Sequence, residues 1–215
     1  MSKKLLHKQR VMGYFVDAAH QIIEQEGIEN VTIRKTADLA GYNSATLYNY
    51  FNNLDHLILF ASMKYLKEYV ELLPFYLKES DNKLEQYFSI WECFCTCAFK
   101  YPKIYYSIFF SDLNEKINNY LEEYYTIFPN DLLTSSSDIG KMLLEKSIDK
   151  RNLFLLEDCV NSGLLINDNL ALINSITILT FQSTLTNLIN SSKTDIDRNA
   201  LLQETLKYIK YVTLK

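Results

Sequence analysis

The sequence predicts an all-α protein with an N-terminal helical head over residues 1–52 and a larger helical body over residues 53–215. Three observations lead there. Apolar residues recur at three- and four-residue spacing through almost the whole chain. Glycine and proline number only 5 and 3, too little punctuation for a many-stranded sheet. The 215 residues suffice for a head of about 50 residues and a second core of its own. No internal repeat, low-complexity tract or Pro-rich linker interrupts the pattern, although Asn130-Asp131 and Thr134–Ser137 mark one polar loop.

The elements follow in order. Val11, Phe15, Ala18, Ala19, Ile22 and Ile23 stand at helical spacing in a helix over residues 6–26, which Gly27 ends. A short helix begins after Thr32, a side-chain cap for its first N–H groups, and carries Ile33, Ala37 and Ala40 on one face. Gly41 stops it, and Asn43 caps the next short helix. There Leu47 and Phe51 point inward, while Ser44, Thr46, Tyr48, Asn49 and Tyr50 suit phosphates and base edges. Two short helices around a glycine turn make a shape that a DNA major groove accepts. A long helix is expected from Asn53 to about Leu73, where Pro74 stops or kinks it. Further helices are read near 82–100, 102–111, 113–127, 138–147, 150–162, 168–191 and 195–213. Pro102 sits in the first turn of its helix, where a missing N–H costs nothing.

Thr32-Ile33-Arg34, Ala37, Leu39-Ala40-Gly41 and Ala45-Thr46-Leu47-Tyr48-Asn49-Tyr50-Phe51 resemble the DNA-binding signature of TetR/AcrR-type transcriptional regulators. The resemblance covers roughly the first 60 residues, including Leu57; beyond them it is one of length and helical order. It implies a helix-turn-helix head that contacts DNA through Thr32, Arg34, Lys35, Asn43, Ser44, Thr46, Tyr48 and Tyr50, and a helical body that binds an effector and dimerises. Three positions depart from the family pattern. Leu54 stands where a lysine often meets phosphate, which lowers the counterion release available to this chain. Tyr42 replaces a smaller aliphatic residue and Asn43 replaces a common serine; a tyrosine ring can pack, and asparagine caps well.

The net charge of −4 excludes a general polyanion binder, so any DNA contact needs a local basic surface. Lys3, Lys4, Lys8 and Arg10 form an acid-free start to the chain, either a phosphate-seeking arm or a solvated end. No apolar run reaches the roughly 18 residues of a membrane span, and the N-terminus lacks a signal-peptide core, which leads to an expectation of a cytoplasmic protein with no membrane partner. Cys93, Cys95, Cys97 and Cys159 are then expected to be reduced. Cys93 and Cys97 share a helix face and Cys95 points elsewhere, so the three do not converge on a metal; small buried hydrophobes is their expected role. No metal and no cofactor is expected.

Aromatics crowd the first part of the body. Most are core, but Tyr87, Trp91, Phe94, Tyr105, Phe109 and Tyr124 are the candidates to touch a flat, apolar or cationic effector. The last two helices carry one stripe of Leu170, Ile173, Thr177, Phe181, Thr184 and Leu188 and another of Leu201, Thr205, Tyr208 and Val212. Two copies of these stripes would build a four-helix dimer surface.

The function that follows is a homodimeric, ligand-responsive regulator on a double-stranded operator, a repressor released by a small molecule. A rival is an adaptor or coactivator of the same fold that binds a protein partner and DNA only weakly, motivated by Leu54. An enzyme is not expected: His7, His20 and His56 all fall in or beside the head, and no phosphate loop or nucleophile motif occurs.

Overall fold

The computed structural model describes residues 3–78, 80–110, 114–131, 138–145, 147–191 and 196–215, with backbone alone at 114–119, 130, 138 and 167. The polar loop expected at Thr134–Ser137 lies outside the described residues. Among those residues there are eleven α-helices and no strand, an all-α fold. They divide into two compact units, residues up to 67 with 112–132, and residues 68–111 with 133–215.

The first unit holds α1 (Lys3–Glu26), α2 (Ile33–Leu39), α3 (Ser44–Tyr48), the start of α4 (Leu54–Leu77) and α7 (Asn114–Ile127). It is thus larger than the head read over 1–52, for a packing reason. Phe51 closes on Phe15 at 6.2 Å and on Phe60 of α4 at 5.6 Å, and Phe60 closes on Tyr124 of α7 at 5.2 Å. One aromatic core therefore needs all of these helices. Asn53 begins α4 by accepting the His56 backbone N–H at 2.8 Å.

Pro74 neither stops nor visibly ends the long helix, which continues to Leu77. A proline removes one backbone hydrogen bond, and only a single turn follows it, so little helix is put at risk.

The second unit holds the end of α4, α5 (Lys83–Lys100), α6 (Pro102–Phe110), α8 (Asp138–Leu144), α9 (Ile148–Asn161), α10 (Leu170–Asn190) and α11 (Arg198–Leu214). Asn82 caps α5, Ser147 caps α9 and Asp197 caps α11 by accepting first-turn N–H groups. Phe181 of α10 is fully enclosed, with Trp91 and Phe94 of α5 at 5.5 and 5.1 Å and Phe110 of α6 at 5.9 Å.

That enclosure takes up part of the expected dimer stripes. Thr177, Phe181 and Thr205 are buried within the subunit and are not available to a partner. Leu170, Ile173, Thr184, Leu188, Leu201 and Val212 are half-buried, and only Tyr208 of the ten stands exposed. The outward face is rotated by about one residue, or 100°: Leu172 and Leu179 of α10 and Tyr208, Tyr211 and Leu214 of α11 are the exposed large apolar side chains there.

Candidate functional site

The turn between α2 and α3 is a Schellman motif. Tyr42 N–H donates to Ala37 O at 2.9 Å and Gly41 N–H to Asp38 O at 3.2 Å, with Gly41 at φ +78°. Thr32 Oγ1 accepts the Lys35 N–H at the start of α2, and Asn43 Oδ1 accepts both the Thr46 N–H at 2.8 Å and the Thr46 hydroxyl at 3.0 Å. Asn43 and Thr46 thus satisfy each other. Leu47 is wholly buried and fixes which side of α3 faces in. Tyr42, the bulky departure from pattern, lays its ring on Phe15 at 5.1 Å and beside Tyr14 at 6.3 Å.

Opposite Leu47, the outer face of α3 presents Ala45, Tyr48 and Asn49, all exposed. Of the sequence-named residues, Tyr48 is the most accessible on this helix at 58%. Ser44 and Thr46 are half-buried, and Tyr50 turns toward Phe15 at 6.3 Å. Arg34 projects freely, with Asp38 only at 3.9 Å, whereas the Lys35 ammonium is tied to Glu26. Among the N-terminal basic residues Lys3, Lys4 and Arg10 are exposed, and Lys8 pairs with Glu123 at 2.8 Å. Asn49, read from the sequence as suited to phosphates and base edges, is exposed here; Ala45 was not read as a contact, and its place about 160° from Leu47 on a helical wheel was the available signal.

Behind this face His56 is buried, stacked on Tyr120 at 4.0 Å, and its Nδ1 accepts the Asn52 N–H. Its Nε2 lies 3.5 Å from Glu123. Burial pushes its pKa down from the usual 6.5 to about 4, against an opposing pull from Glu123 and with help from Lys8.

In the second unit a small cavity opens at Trp91 and Phe94, with a volume of ≈ 30 Å³. Its other walls include Tyr69 of α4, Met142 of α8 and Arg151 and Leu155 of α9. Trp91 Nε1 donates to Asn152 Oδ1 at 2.9 Å and Asn152 Nδ2 to Asn174 Oδ1 at 2.8 Å, a chain from α5 through α9 to α10 that is buried at Trp91 and half-buried at Asn174. Tyr105 and Phe109 pack on Phe94 at 5.4 and 5.3 Å as a second layer. Tyr87 instead borders a ≈ 160 Å³ cavity with Ile90 and Phe154, and burial lifts its hydroxyl to about 12. Tyr124 stands apart in the first unit, where its hydroxyl donates to Asp131 at 2.7 Å. It belongs to the aromatic core around Phe60, not to the group at Trp91. A wider groove of ≈ 390 Å³ runs past Tyr76, Phe88, Glu92 and Lys210, none of them among the effector contacts expected from the sequence.

All four cysteines are free and buried, and among the described residues no cluster of metal-ligating side chains occurs. The Cys93 thiol donates to Tyr69 O at 3.9 Å, and the neighbouring Cys97 together with burial pushes it above the ordinary range. Among the described residues no helix is long and apolar enough to cross a membrane.

Residues 15–59 match the family model of bacterial regulatory proteins of the tetR family. Three solved structures share the fold. The FadR of Thermus thermophilus, a TetR-family transcriptional repressor in complex with lauroyl-CoA, is 13% identical over 95% of each chain, with a TM-score of 0.60. The FadR of Bacillus halodurans, a regulator of fatty acid degradation, is 17% identical over 92% of this chain and 93% of its own, with a TM-score of 0.58. The FadR of Bacillus subtilis in complex with stearoyl-CoA is 18% identical over 92% and 96%, with a TM-score of 0.56. No curated protein matches the sequence.

Proposed function

Because this chain belongs through its N-terminal domain to the tetR family of bacterial regulatory proteins, we propose that it is a homodimeric repressor that leaves its operator when a small molecule binds the second unit. The observation that carries the DNA-binding part is α3 itself. It is held by a Schellman turn and a buried Leu47, with Tyr48, Ala45 and Asn49 turned outward. A recognition helix enters the major groove in this manner, with phosphate contacts setting register and base edges setting sequence. Arg34 and the exposed Lys3, Lys4 and Arg10 supply the phosphate-seeking charge.

One small helix reads few base pairs, so two heads acting together multiply affinity. The exposed Leu172, Leu179, Tyr208, Tyr211 and Leu214 offer the apolar surface from which a four-helix dimer contact is made. Effector control then follows from linkage: a ligand that binds more tightly to a DNA-incompetent state draws the population there and lowers operator affinity by the same factor. The continuous α4 is the covalent path, since residues 54–67 belong to the first unit and 68–77 to the second.

Two of the three FadR structures hold lauroyl-CoA and stearoyl-CoA, so acyl thioesters are among the first compounds to add. The decisive experiment measures binding of the purified protein to DNA flanking its own gene at several salt concentrations, against random DNA. Tight, specific, salt-sensitive binding by a dimer supports the regulator. Binding no better than the random control removes it and favours the adaptor reading, for which Leu54 and the Glu26-tied Lys35 are the supporting features.

A further inference from the structure

The deepest charge in the second unit is Arg151. Only 6% of it is exposed, and among the described residues no carboxylate lies within ion-pair distance. Its Nε donates to Glu145 O at 3.1 Å and its Nη2 to Leu143 O at 2.9 Å, while its guanidinium carbon sits 5.3 Å from the centre of the Phe109 ring. Those carbonyls belong to the end of α8 and the residue just beyond it, and they bring a partial negative charge of about half an electron. That does not neutralise a full cation, and a buried charge is normally paired with an opposite one. Immediately beside it is the apolar cavity at Trp91 and Phe94, of which Arg151 and Tyr69 are both walls.

We propose that the effector is a hydrophobic monocarboxylate whose anionic end is received by Arg151 and whose apolar part lies against Trp91 and Phe94. This rests on the reading of the second unit as an effector domain. The fork of Arg151 matches a carboxylate in a bidentate manner, and removal from water strengthens the pair. A cationic ligand, allowed by the aromatic composition alone, meets a buried like charge here and is excluded.

The ≈ 30 Å³ now open is room for about one water molecule, so the cavity must widen to accept the tail. Met142, an adaptable side chain on α8, is one wall, and the carboxylate competes with Leu143 O and Glu145 O for the same guanidinium. Binding therefore exchanges the hold on the α8 end for a hold on the ligand. That exchange gives the differential contact that a conformational response requires.

The test uses the full-length protein and probes of matched tail: dodecanoate, dodecanol and dodecylamine. Trp91 is the only tryptophan in the chain and lines the cavity, so its emission reports occupancy directly. Dodecanoate is expected to change that emission and to bind at least tenfold more tightly than the alcohol or the amine. In Arg151→Met the preference of acid over alcohol disappears, and Arg151→Lys retains part of it. Equal binding of alcohol and acid, tighter binding of the amine, an unaltered Arg151→Met, or no binding by dodecanoate overturns the proposal. The comparison of probes on the unmutated protein stands even where a variant fails to fold. Operator binding is measured in parallel: operator binding without a carboxylate response defeats the proposal alone, whereas loss of both defeats the regulator reading as well.

Discussion

Tyr48 and His56 show how little separates a residue that serves the surface from one that serves the core. Tyr48 is more than half exposed and has no part in the packing around Phe51, so Tyr48→Ala is expected to leave melting temperature nearly unchanged while weakening operator binding at least tenfold. A gel-shift titration checks the second quantity and a thermal melt the first. His56 is kept neutral in the fold by burial, with a pKa near 4 against 6.5 in the unfolded chain. Between those values the unfolded state binds a proton that the folded state refuses. Stability is therefore full above pH 6.5 and is lost as pH falls through 4. From pH 7.5 to pH 5 the loss assigned to His56 is about 2 kcal/mol; His20, also lowered by burial, acts in the same direction. Urea unfolding at both pH values should show a smaller difference for His56→Asn than for the unmutated protein. The sequence named Tyr48 because a tyrosine on a polar helix face is visible in the spacing. It was silent on the depth of His56, since that depth is set by Tyr120 and Glu123 of a helix more than 60 residues away.

Elements were the most legible scale, because caps and punctuation are local. Thr32, Asn43 and Gly41 each do in the structure what short-range chemistry requires, and Pro102 opens α6 as its missing N–H allows. Pro74 misled because a proline near a helix end has almost no helix left to break. Gly41 stands in open space, with nothing within 4 Å of an added Cβ, so a substitution there meets only the conformational penalty of a positive φ. Gly41→Ala is therefore expected to lower unfolding free energy by about 1 kcal/mol without a steric contribution. A denaturant midpoint shift with unchanged slope would carry that result. The faces of α10 and α11 were harder. Both helices have apolar residues on two sides, so periodicity alone does not distinguish the side that meets Trp91 and Phe94 from the side left outward. Arg151 is the converse case: its three-residue step from Ile148 and four-residue step to Leu155 put a cation on an apolar face, a conflict that the spacing itself carries.

At the level of the whole molecule, helical class and a two-part organisation could be read from composition and period, whereas the extent of the first unit could not. The partnership of Phe60 with Tyr124 joins segments distant in sequence, and no local rule reports it. Assembly supplies the prediction that belongs here. Leu179→Glu combined with Tyr211→Glu places charges on outward side chains and should yield a folded monomer by sedimentation equilibrium, with operator affinity reduced at least tenfold. Persistence of a dimer would reassign the contact surface. The tie between Lys35 and Glu26, set beside the uncharged Leu54 and a net charge of −4, has a further consequence inside a cell. Chromosomal DNA offers an enormous excess of wrong sites that capture basic proteins through their phosphates alone. A head whose Lys35 is tied and whose residue 54 carries no charge has less to offer those sites. More of the population would then remain unbound, free to search in three dimensions for the operator we propose.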